Sequence, residues 1–195
     1  DGTRLLARAL AEAGEAGPKV FVSASATGFY GHRGDTPVDE KSKTGSGFLA
    51  EVCQQWEAAA EPARKAGIRV VHPRIGVVLS GSGGALAKMK TPFLLGVGGR
   101  VGSGEQYMPW IAHDDVVRGL VFLAREPNAS GPVNLVADSV PNARFTRALG
   151  DVLGRPTLVP VPGFAIRTLF GEMGQRALLE GANVRPTELE RFGFA

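Results

Sequence analysis

Hydroxyl-bearing side chains follow a short apolar run near the start of the chain, which reads Val20-Phe21-Val22-Ser23-Ala24-Ser25-Ala26-Thr27-Gly28-Phe29-Tyr30-Gly31. The apolar run predicts a buried strand of a parallel sheet, and sheets of that kind bind ligands beyond the carboxyl ends of their strands. A serine or threonine hydroxyl in that position can hold the carbonyl or hydroxyl oxygen of a substrate. The same side chains can instead cap a turn of the backbone, and the segment alone leaves both interpretations open.

The composition is that of a globular protein with one sizeable core. The 195 residues are 44% hydrophobic, and the net charge of +3 comes from basic residues scattered among 19 acidic ones. This scatter predicts no nucleic-acid partner, because nucleic-acid surfaces collect basic residues in a patch or stripe. No run approaches the roughly 20 apolar residues that span a bilayer, so we expect no membrane partner. A single cysteine, Cys53, excludes an internal disulfide and favours a cytoplasmic location.

The histidine positions predict no metal site. His32, His72 and His113 lie far apart in the sequence, and none has a partner at the spacing of a ligand motif such as HExxH. Positions in loops or at strand ends account for them. We therefore expect the protein to work without a metal ion.

Strand and helix patterns alternate along the chain. Apolar runs predict strands at 20–22, 68–72, 76–79 and 132–136, and amphipathic patterns predict helices between them. One of these helices carries Phe48, Val52, Trp56 and Ala60 at a spacing of four, and we expect this stripe, Trp56 included, to pack in the core. The alternation predicts an α/β fold built from βαβ units, followed by a smaller, mainly helical lobe from about residue 138.

Several motifs occur in the order and spacing of one enzyme family. They are SASATGFYG at 23–31, WE at 56–57, PRIGVVL at 73–79, GSGEQYMPWI at 102–111, DDV at 114–116 and GPVN at 131–134. Together they resemble the extended short-chain dehydrogenase/reductases, and more narrowly their atypical branch of NAD-dependent, sugar-nucleotide epimerase-like proteins. The segments 145–162 and 171–178 resemble the C-terminal domain of unknown function in that branch. The resemblance covers essentially the whole chain.

The resemblance implies the second half of a Rossmann-type, doubly wound parallel sheet. It divides the chain into 1–137, the C-terminal part of an NAD(P)-binding domain, and 138–195, a small substrate lobe to which 80–108 also contributes. The cofactor fingerprint of the family, GxGxxG, is missing from the sequence, and the first residue is Asp1 rather than Met. We therefore expect the first βα units to lie outside this sequence. We also expect this chain alone not to hold a dinucleotide tightly.

The catalytic pair of the family has no counterpart in the sequence. In the family, a tyrosine four residues before a lysine transfers the proton, while the lysine lowers the tyrosine pKa. If Glu57 matches the acidic residue that follows this pair, the tyrosine position falls on Leu49 and the lysine position on Cys53. Leucine has no proton to give, and cysteine carries no positive charge. The resemblance thus implies a site that lacks the usual Tyr–Lys pair.

Other site residues can be assigned from the same resemblance. The catalytic hydroxyl falls on Ser25, with Thr27 as the alternative. Tyr30 is a further candidate proton donor, although an aromatic residue in such a turn can simply pack and make one hydrogen bond. The cofactor-binding candidates are Ser23, Ala24, Pro73, Arg74 and Gly76. The substrate-binding candidates are Gly28, Arg100 and Met108.

Three of these candidates concern the binding of a charged ligand. Arg74 follows a strand and could bind a cofactor or substrate phosphate through two parallel hydrogen bonds, or could form a surface ion pair instead. Met108 stands where sugar-nucleotide epimerases often place an arginine for the diphosphate. Arg100 is the residue that could compensate, which leaves a nucleotide-sugar substrate an open question.

The expected function is that of an NAD(P)-binding epimerase or reductase that acts on a small polar, sugar-nucleotide-like substrate. Either NAD or NADP fits, and we take NADP as the expected cofactor. The alternative is a non-catalytic nucleotide-binding protein that keeps the fold and serves regulation. The expected partner is a small-molecule substrate. A homodimer is the one protein assembly that this interpretation includes.

Overall fold

The computed structural model describes residues 2–158, 160–162 and 181–194, so the predicted resemblance at 171–178 lies outside the described residues. The helices are α1 (Gly2–Glu12), α2 (Phe48–Ala59), α3 (Glu61–Lys65), α4 (Gly84–Leu94), α5 (His113–Arg125), α6 (Asn142–Leu153) and α7 (Thr187–Arg191), with 3-10 turns at Gly14–Ala16 and Thr27–Tyr30. The strands are β1 (Val20–Val22), β2 (Ser25–Ala26), β3 (Pro37–Val38), β4 (Arg69–Ile75), β5 (Val77–Ser80), β6 (Tyr107–Ala112), β7 (Gly131–Leu135), β8 (Asp138–Pro141) and β9 (Asn183–Val184). Within the described ranges, no helix has the length and apolar character needed to span a membrane.

The central sheet is parallel and has β4 at its middle. Along one edge β4 pairs with β1 and then β2, and along the other it pairs with β7, so that Val71 lies between Val22 and Gly131. Residues 70–74 of β4 are all buried, as expected for a strand that is covered on both faces. The α/β fold with a parallel sheet, which the alternating patterns predicted, is confirmed.

Different helices cover the two faces of this sheet. On one face, Ala7 of α1 and Ala63 of α3 pack with Val70 in a cluster rich in alanine. On the other face, Leu123 of α5 and Leu189 of α7 pack in the cluster that contains Val71. Neighbouring residues of β4 thus point into different clusters, because successive side chains of a strand point to opposite faces.

Strands that follow β7 in the sequence pair with strands that precede it. β8 pairs antiparallel with β6, which is itself parallel to β5. β9 pairs with β3, and the Arg185 backbone N–H donates to the Val38 carbonyl at 2.8 Å. Residues 181–194 therefore pack against the first part of the chain. The division of the chain at 137/138 into two domains stays a prediction.

Of the stripe predicted on α2, Ala60 at the end of the helix is fully buried, but Phe48 and Trp56 do not lie on the buried face. Phe48 and Trp56 are 55% and 47% exposed, whereas Ala50 and Cys53 are buried. The prediction that Trp56 lies in the core is therefore wrong. A spacing of four residues overshoots one helical turn by about 40°, so repeated steps of four carry a stripe around the helix. Small residues on the buried face let α2 lie close to the strands, and the large side chains of Phe48 and Trp56 lie to one side of that face.

Candidate functional site

Ser25, Glu57 and Arg74 form a hydrogen-bonded cluster at the carboxyl ends of β2 and β4. Ser25 and Arg74 lie opposite each other in the sheet, and Glu57 reaches them from α2. Ser25 Oγ donates to Glu57 Oε1 at 2.8 Å, while Arg74 donates from Nε to Oε1 at 2.8 Å and from Nη2 to Oε2 at 2.9 Å. The single hydroxyl proton of Ser25 is directed at the carboxylate, so the serine oxygen is left to accept hydrogen bonds from elsewhere.

The ion pair of Arg74 with Glu57 is buried. The Arg74 side chain is 3% exposed and that of Glu57 is 15% exposed. The guanidinium carbon of Arg74 lies 3.4 Å from the centre of the Phe29 ring. Burial lowers the pKa of Arg74, but its hydrogen bonds to Glu57 and Tyr30 outweigh that effect and raise the pKa overall. The sequence allows two roles for Arg74, namely phosphate binding and a surface ion pair. Its contacts match an ion pair, but this pair lies inside the protein rather than on its surface.

Tyr30 extends this cluster into the core. Its side chain is fully buried, and its hydroxyl donates to Asn134 Oδ1 at 2.7 Å and accepts from Arg74 Nη1 at 3.0 Å. Burial raises the pKa of Tyr30, although the neighbouring Arg74 opposes the rise. The Tyr30 hydroxyl thus both donates to and accepts from other residues of the protein, and these bonds hold the turn after β2 against the sheet.

A cavity of about 330 Å³ lies at the carboxyl ends of β2 and β4, between α2 and β6. This is where an open parallel sheet binds its ligands. Most of the described wall is apolar, from Phe48, Leu49, Val52, Cys53, Trp56, Ile75, Val77, Met108 and Pro109. Polar side chains come from Thr27, Ser46, Gln106, Tyr107 and Asn142, and no described lining residue is charged.

Some of the predicted site residues meet at this cavity. Thr27, Gly28, Gly76 and Met108 line it, and Ser25 is 4% exposed immediately before the lining residue Ala26. At Gly76, an added Cβ would lie 2.8 Å from the Pro109 carbonyl oxygen and 2.9 Å from Val136 Cγ1. A glycine is therefore required where the end of β4 packs against β6.

The other predicted residues lie outside the cavity wall. Ser23 and Pro73 are buried in the central sheet, where the Ser23 backbone N–H donates to the Val71 carbonyl at 2.9 Å. Ala24 is exposed in the break between β1 and β2. Arg100 is exposed as well, and its Nη1 donates to the Ser103 carbonyl at 3.4 Å. Tyr30 also is not among the described lining residues.

Cys53 joins the cavity to the Ser25–Glu57–Arg74 cluster. It lines the cavity, although it is only 3% exposed, and Ser25 is among the neighbours that influence its pKa. Burial raises the pKa of the Cys53 thiol, and the neighbouring polar groups of Ser25 and Ala26 offset only part of the rise. The thiol therefore keeps its proton at neutral pH. In the sequence, Cys53 stands out only because it occupies the position of the family's lysine.

His72 is buried beside the same strand ends as a neutral ring. Its Nε2 lies 3.2 Å from Arg64 Nη2, and its Nδ1 lies 3.4 Å from the Ser23 carbonyl oxygen. Because arginine can only donate, Nε2 accepts and Nδ1 carries the proton. Burial lowers the pKa of His72, in keeping with that assignment. Within the described ranges, no three His, Cys, Asp or Glu side chains form a group that could hold a metal ion.

Several contributors to the candidate site could not be assigned from the sequence. Glu57 belongs to the motif WE at 56–57, but no sequence pattern indicates its pairing with Ser25 and Arg74. Gln106 and Asn142 line the cavity from separate segments, and no local pattern connects them. Phe48 and Trp56 could have been found from the sequence, because two large rings eight positions apart lie near the same face of a helix and can line one cavity.

Comparison with known proteins identifies the class. The NAD dependent epimerase/dehydratase family matches residues 1–136, and a domain of unknown function, DUF1731, matches residues 161–195. The chain belongs to the NAD dependent epimerase/dehydratase family. The resemblance seen in the motifs, including that of the C-terminal segment, is confirmed.

Individual relatives support this membership. An epimerase family protein of Mycobacterium bovis is 48% identical over 193 residues, which cover 98% of this chain and 63% of the relative. The crystal structure of human epimerase family protein SDR39U1 with NADPH is 35% identical, with a TM-score of 0.92 over 100% of this chain and 66% of that one. A dTDP-glucose 4,6-dehydratase of Streptomyces venezuelae, 20% identical with a TM-score of 0.73, shares the fold. The chain thus spans about 63% of the length of the Mycobacterium relative that it matches.

Proposed function

We propose that this chain forms the nicotinamide-facing and substrate-facing part of an NADP(H)-dependent reductase or epimerase. The observation that carries the proposal is the cavity at the carboxyl ends of β2 and β4, with the Ser25–Glu57–Arg74 cluster next to it. The choice of NADP(H) over NAD(H) is supported by the human relative, whose crystal structure contains NADPH. Because this chain covers 66% of that relative, the activity is proposed for the protein with its natural flanking sequence.

The residues around the cavity fit a nicotinamide ring. The ring is flat and carries one amide, which suits an apolar cleft with a few hydrogen-bonding groups. Thr27 and Gly28 at the end of β2, with Ile75 and Gly76 at the end of β4, would hold it. The phosphates of the cofactor are not assigned to residues, because the sequence has no GxGxxG turn to bind them.

The protein must move a proton when the bound nicotinamide accepts or donates a hydride. Ser25 Oγ can take the proton of a substrate alcohol while its own proton passes to Glu57 Oε1, 2.8 Å away. In the reverse direction, the same two groups return a proton to a carbonyl oxygen. Arg74 keeps the carboxylate in place through its two hydrogen bonds. Thr27, in the cavity wall, orients the substrate oxygen.

We infer further that this site works without the usual Tyr–Lys pair. Leu49 lines the cavity at the tyrosine position, and an added Cβ at Gly28 would lie 3.4 Å from its Cβ. Cys53, at the lysine position, supplies a neutral thiol. Proton transfer therefore falls to Ser25 and Glu57 rather than to a tyrosine.

A non-catalytic nucleotide-binding protein is the second candidate. The observation that favours it is the composition of the cavity wall, in which Leu49 has no proton and no described residue is charged. Such a protein would bind the same cofactor without turning over a substrate. Its role would be to report the cofactor state to a partner.

Calorimetric titration of the protein, with its natural flanking sequence, against NADPH and NADH tests the proposal. We expect micromolar binding of NADPH and weaker binding of NADH. Turnover is then followed by the absorbance of NADPH with a panel of carbonyl compounds. A protein that binds neither nucleotide contradicts both candidates, and one that binds NADPH without turning over any member of the panel favours the second.

A further inference from the structure

We propose that the substrate of this site is a neutral, largely apolar carbonyl compound, or the corresponding alcohol, and not a nucleoside-diphosphate sugar. This inference rests on the proposed function and narrows it. It replaces the small polar, sugar-nucleotide-like substrate expected from the sequence. Three properties of the cavity carry it, namely its charge, its wall and its size.

The first property is the charge of the cavity wall. None of the lining residues among the described ones is charged. A diphosphate needs arginine, lysine or a set of backbone N–H groups around its oxygens. The described wall supplies no cationic side chain for this purpose, so only backbone N–H groups, such as those of the first turn of α2, could meet the charges of a diphosphate. The absence of a charged side chain among the described lining residues therefore favours an uncharged ligand.

The arginines of the neighbouring segments are directed at other partners. Arg74 binds Glu57 and Tyr30. Arg33 donates to the carbonyl oxygens of residues 30, 43 and 44. Arg100, expected to compensate for the missing arginine at position 108, is exposed and is not among the lining residues. None of these three guanidinium groups therefore supplies the cavity with a phosphate ligand.

The second property is the apolar surface that the cavity presents. Phe48 and Trp56 on α2 are 55% and 47% exposed and both line the cavity, and Val52 lies between them on the same helix. Met108 lines the cavity from β6. Large exposed apolar side chains grouped in one place indicate a surface that another group covers. Flat aromatic rings and a flexible thioether suit a planar or cyclic hydrocarbon skeleton.

The third property is size. The cavity holds about 330 Å³, at the lower end of the range of about 300–1,000 Å³ for small-molecule sites. The strand ends at Thr27 and Gly76 are the part assigned to the nicotinamide ring. A cavity of this volume suits a nicotinamide ring together with one small ring system between α2 and Met108. Ser25 Oγ, beside the lining residue Ala26, would meet its single polar atom, accepting from the hydroxyl of the alcohol, or donating to the carbonyl oxygen when Glu57 is protonated.

The test compares two neutral aryl ketones, acetophenone and 1-tetralone, with UDP-glucose. Each is titrated into the protein in its natural length and saturated with NADPH, and binding is followed by calorimetry and by quenching of tryptophan fluorescence. We expect both ketones to bind at least about tenfold more tightly than UDP-glucose. The quenching should be lost in Trp56→Phe, because Trp110, the second tryptophan, is not among the described lining residues.

A matched pair of variants locates the site. Met108→Arg places a cation in the cavity wall and should weaken ketone binding by about tenfold or more, because it exposes the apolar ligand to a charge. Val152→Arg makes the same type of change at a residue that is 83% exposed on α6, and should leave ketone affinity unchanged. Equal ketone affinity in Met108→Arg and the parent would contradict this placement.

The outcomes separate the inference from the function on which it rests. If NADPH binds but UDP-glucose binds as tightly as the ketones, or if neither ketone binds, the substrate class is wrong and the nicotinamide site stands. If NADPH itself does not bind, the proposed function fails and the inference fails with it. Ketone binding that depends on Met108, in a protein that binds NADPH, supports both.

Discussion

Ser25 and Glu57 are joined by a hydrogen bond of 2.8 Å between residues that are 32 positions apart in the chain. One lies where a strand of the central sheet ends, and the other lies on the helix that packs beside it. The bond directs the serine proton at a carboxylate that Arg74 holds from its other side. A cluster of this kind can shift a proton without a large movement of any group, and its members can be tested separately.

Removal of the Ser25 hydroxyl should affect turnover more than cofactor binding. In Ser25→Ala, we expect kcat to fall by roughly ten- to a thousand-fold, the range for loss of one positioned hydrogen-bonding group. The affinity for NADPH should change little. Ser130→Ala, at an exposed serine, is the control and should match the parent. Unchanged turnover in Ser25→Ala would assign the proton to another group.

Glu57→Gln should destabilise the fold, because it leaves the buried Arg74 guanidinium without its counter-charge. Loss of one partner of a buried pair costs about 3–5 kcal/mol of unfolding free energy. Glu61→Gln breaks a pair with Arg64 whose side chains are 42% and 47% exposed, and should cost under about 1 kcal/mol. Urea denaturation of the two variants measures the difference. Equal stability of the two would show that the Arg74 pair does not stabilise the fold.

Trp56→Ala should have a small effect on stability and a large effect on ligand binding, because the side chain is half exposed and lines the cavity. We expect a loss of about 1 kcal/mol or less, against about 2–5 kcal/mol for Leu123→Ala at a fully buried position. Thermal unfolding and ketone titration of both variants provide the comparison. A loss for Trp56→Ala as large as that for Leu123→Ala would restore the role first predicted for it.

Glu40 should make stability depend on pH. Its Oε1 accepts from the backbone N–H groups of Asn134 at 2.9 Å and Glu188 at 3.2 Å, while its buried Oε2 has no hydrogen-bond partner among the described residues. Burial raises the pKa of Glu40, and the backbone hydrogen bonds offset only part of the rise. The folded state therefore holds this proton more tightly than the unfolded chain does.

The sign of the pH effect follows from that raised pKa. The contribution of protonated Glu40 is complete below the ordinary glutamate pKa and is lost as pH rises through the raised value. Relative to Glu40→Gln, the parent should therefore lose unfolding free energy across this window. Denaturant titrations at a series of pH values measure the difference, with Glu12→Gln at an exposed position as the control. A difference between parent and Glu40→Gln that stays constant with pH would contradict the assignment.

Restoring the usual pair tests whether its absence limits the activity. Leu49→Tyr with Cys53→Lys places the two side chains one helical turn apart on α2, where both native residues line the cavity. We expect the double variant to create or raise nicotinamide-dependent turnover. Leu49→Phe, which adds a ring without a hydroxyl, is the control and should alter packing alone. A double variant that binds NADPH and turns over no carbonyl compound would favour the regulatory role.

Much of the fold could be predicted because its causes are local. The apolar runs at 20–22 and 132–136 mark strands that are covered on both faces, and the helical patterns between them require parallel pairing. The hydroxyls after β1 predict a site at the end of the sheet where the cavity lies. Gly28, Gly76 and Met108 were placed at the site from their motifs, and all three line the cavity.

The tertiary structure alone decided which groups pair with Arg74 and which face of α2 is left uncovered by the sheet. The sequence predicts Arg74 just after a strand at 68–72, whereas β4 continues through Pro73 and Arg74 to Ile75 because these residues pair with β7. Whether the guanidinium of Arg74 meets a phosphate or a carboxylate depends on Glu57, which another element carries. The repeat of Phe48, Val52 and Trp56 likewise determined a helix, but not which side of it the sheet covers. Those choices depend on how closely α2 approaches β2 and β4, and small residues such as Ala50 and Cys53 set that distance. Packing of this kind depends on many contacts between residues that are far apart in the chain, so no local sequence pattern can predict it.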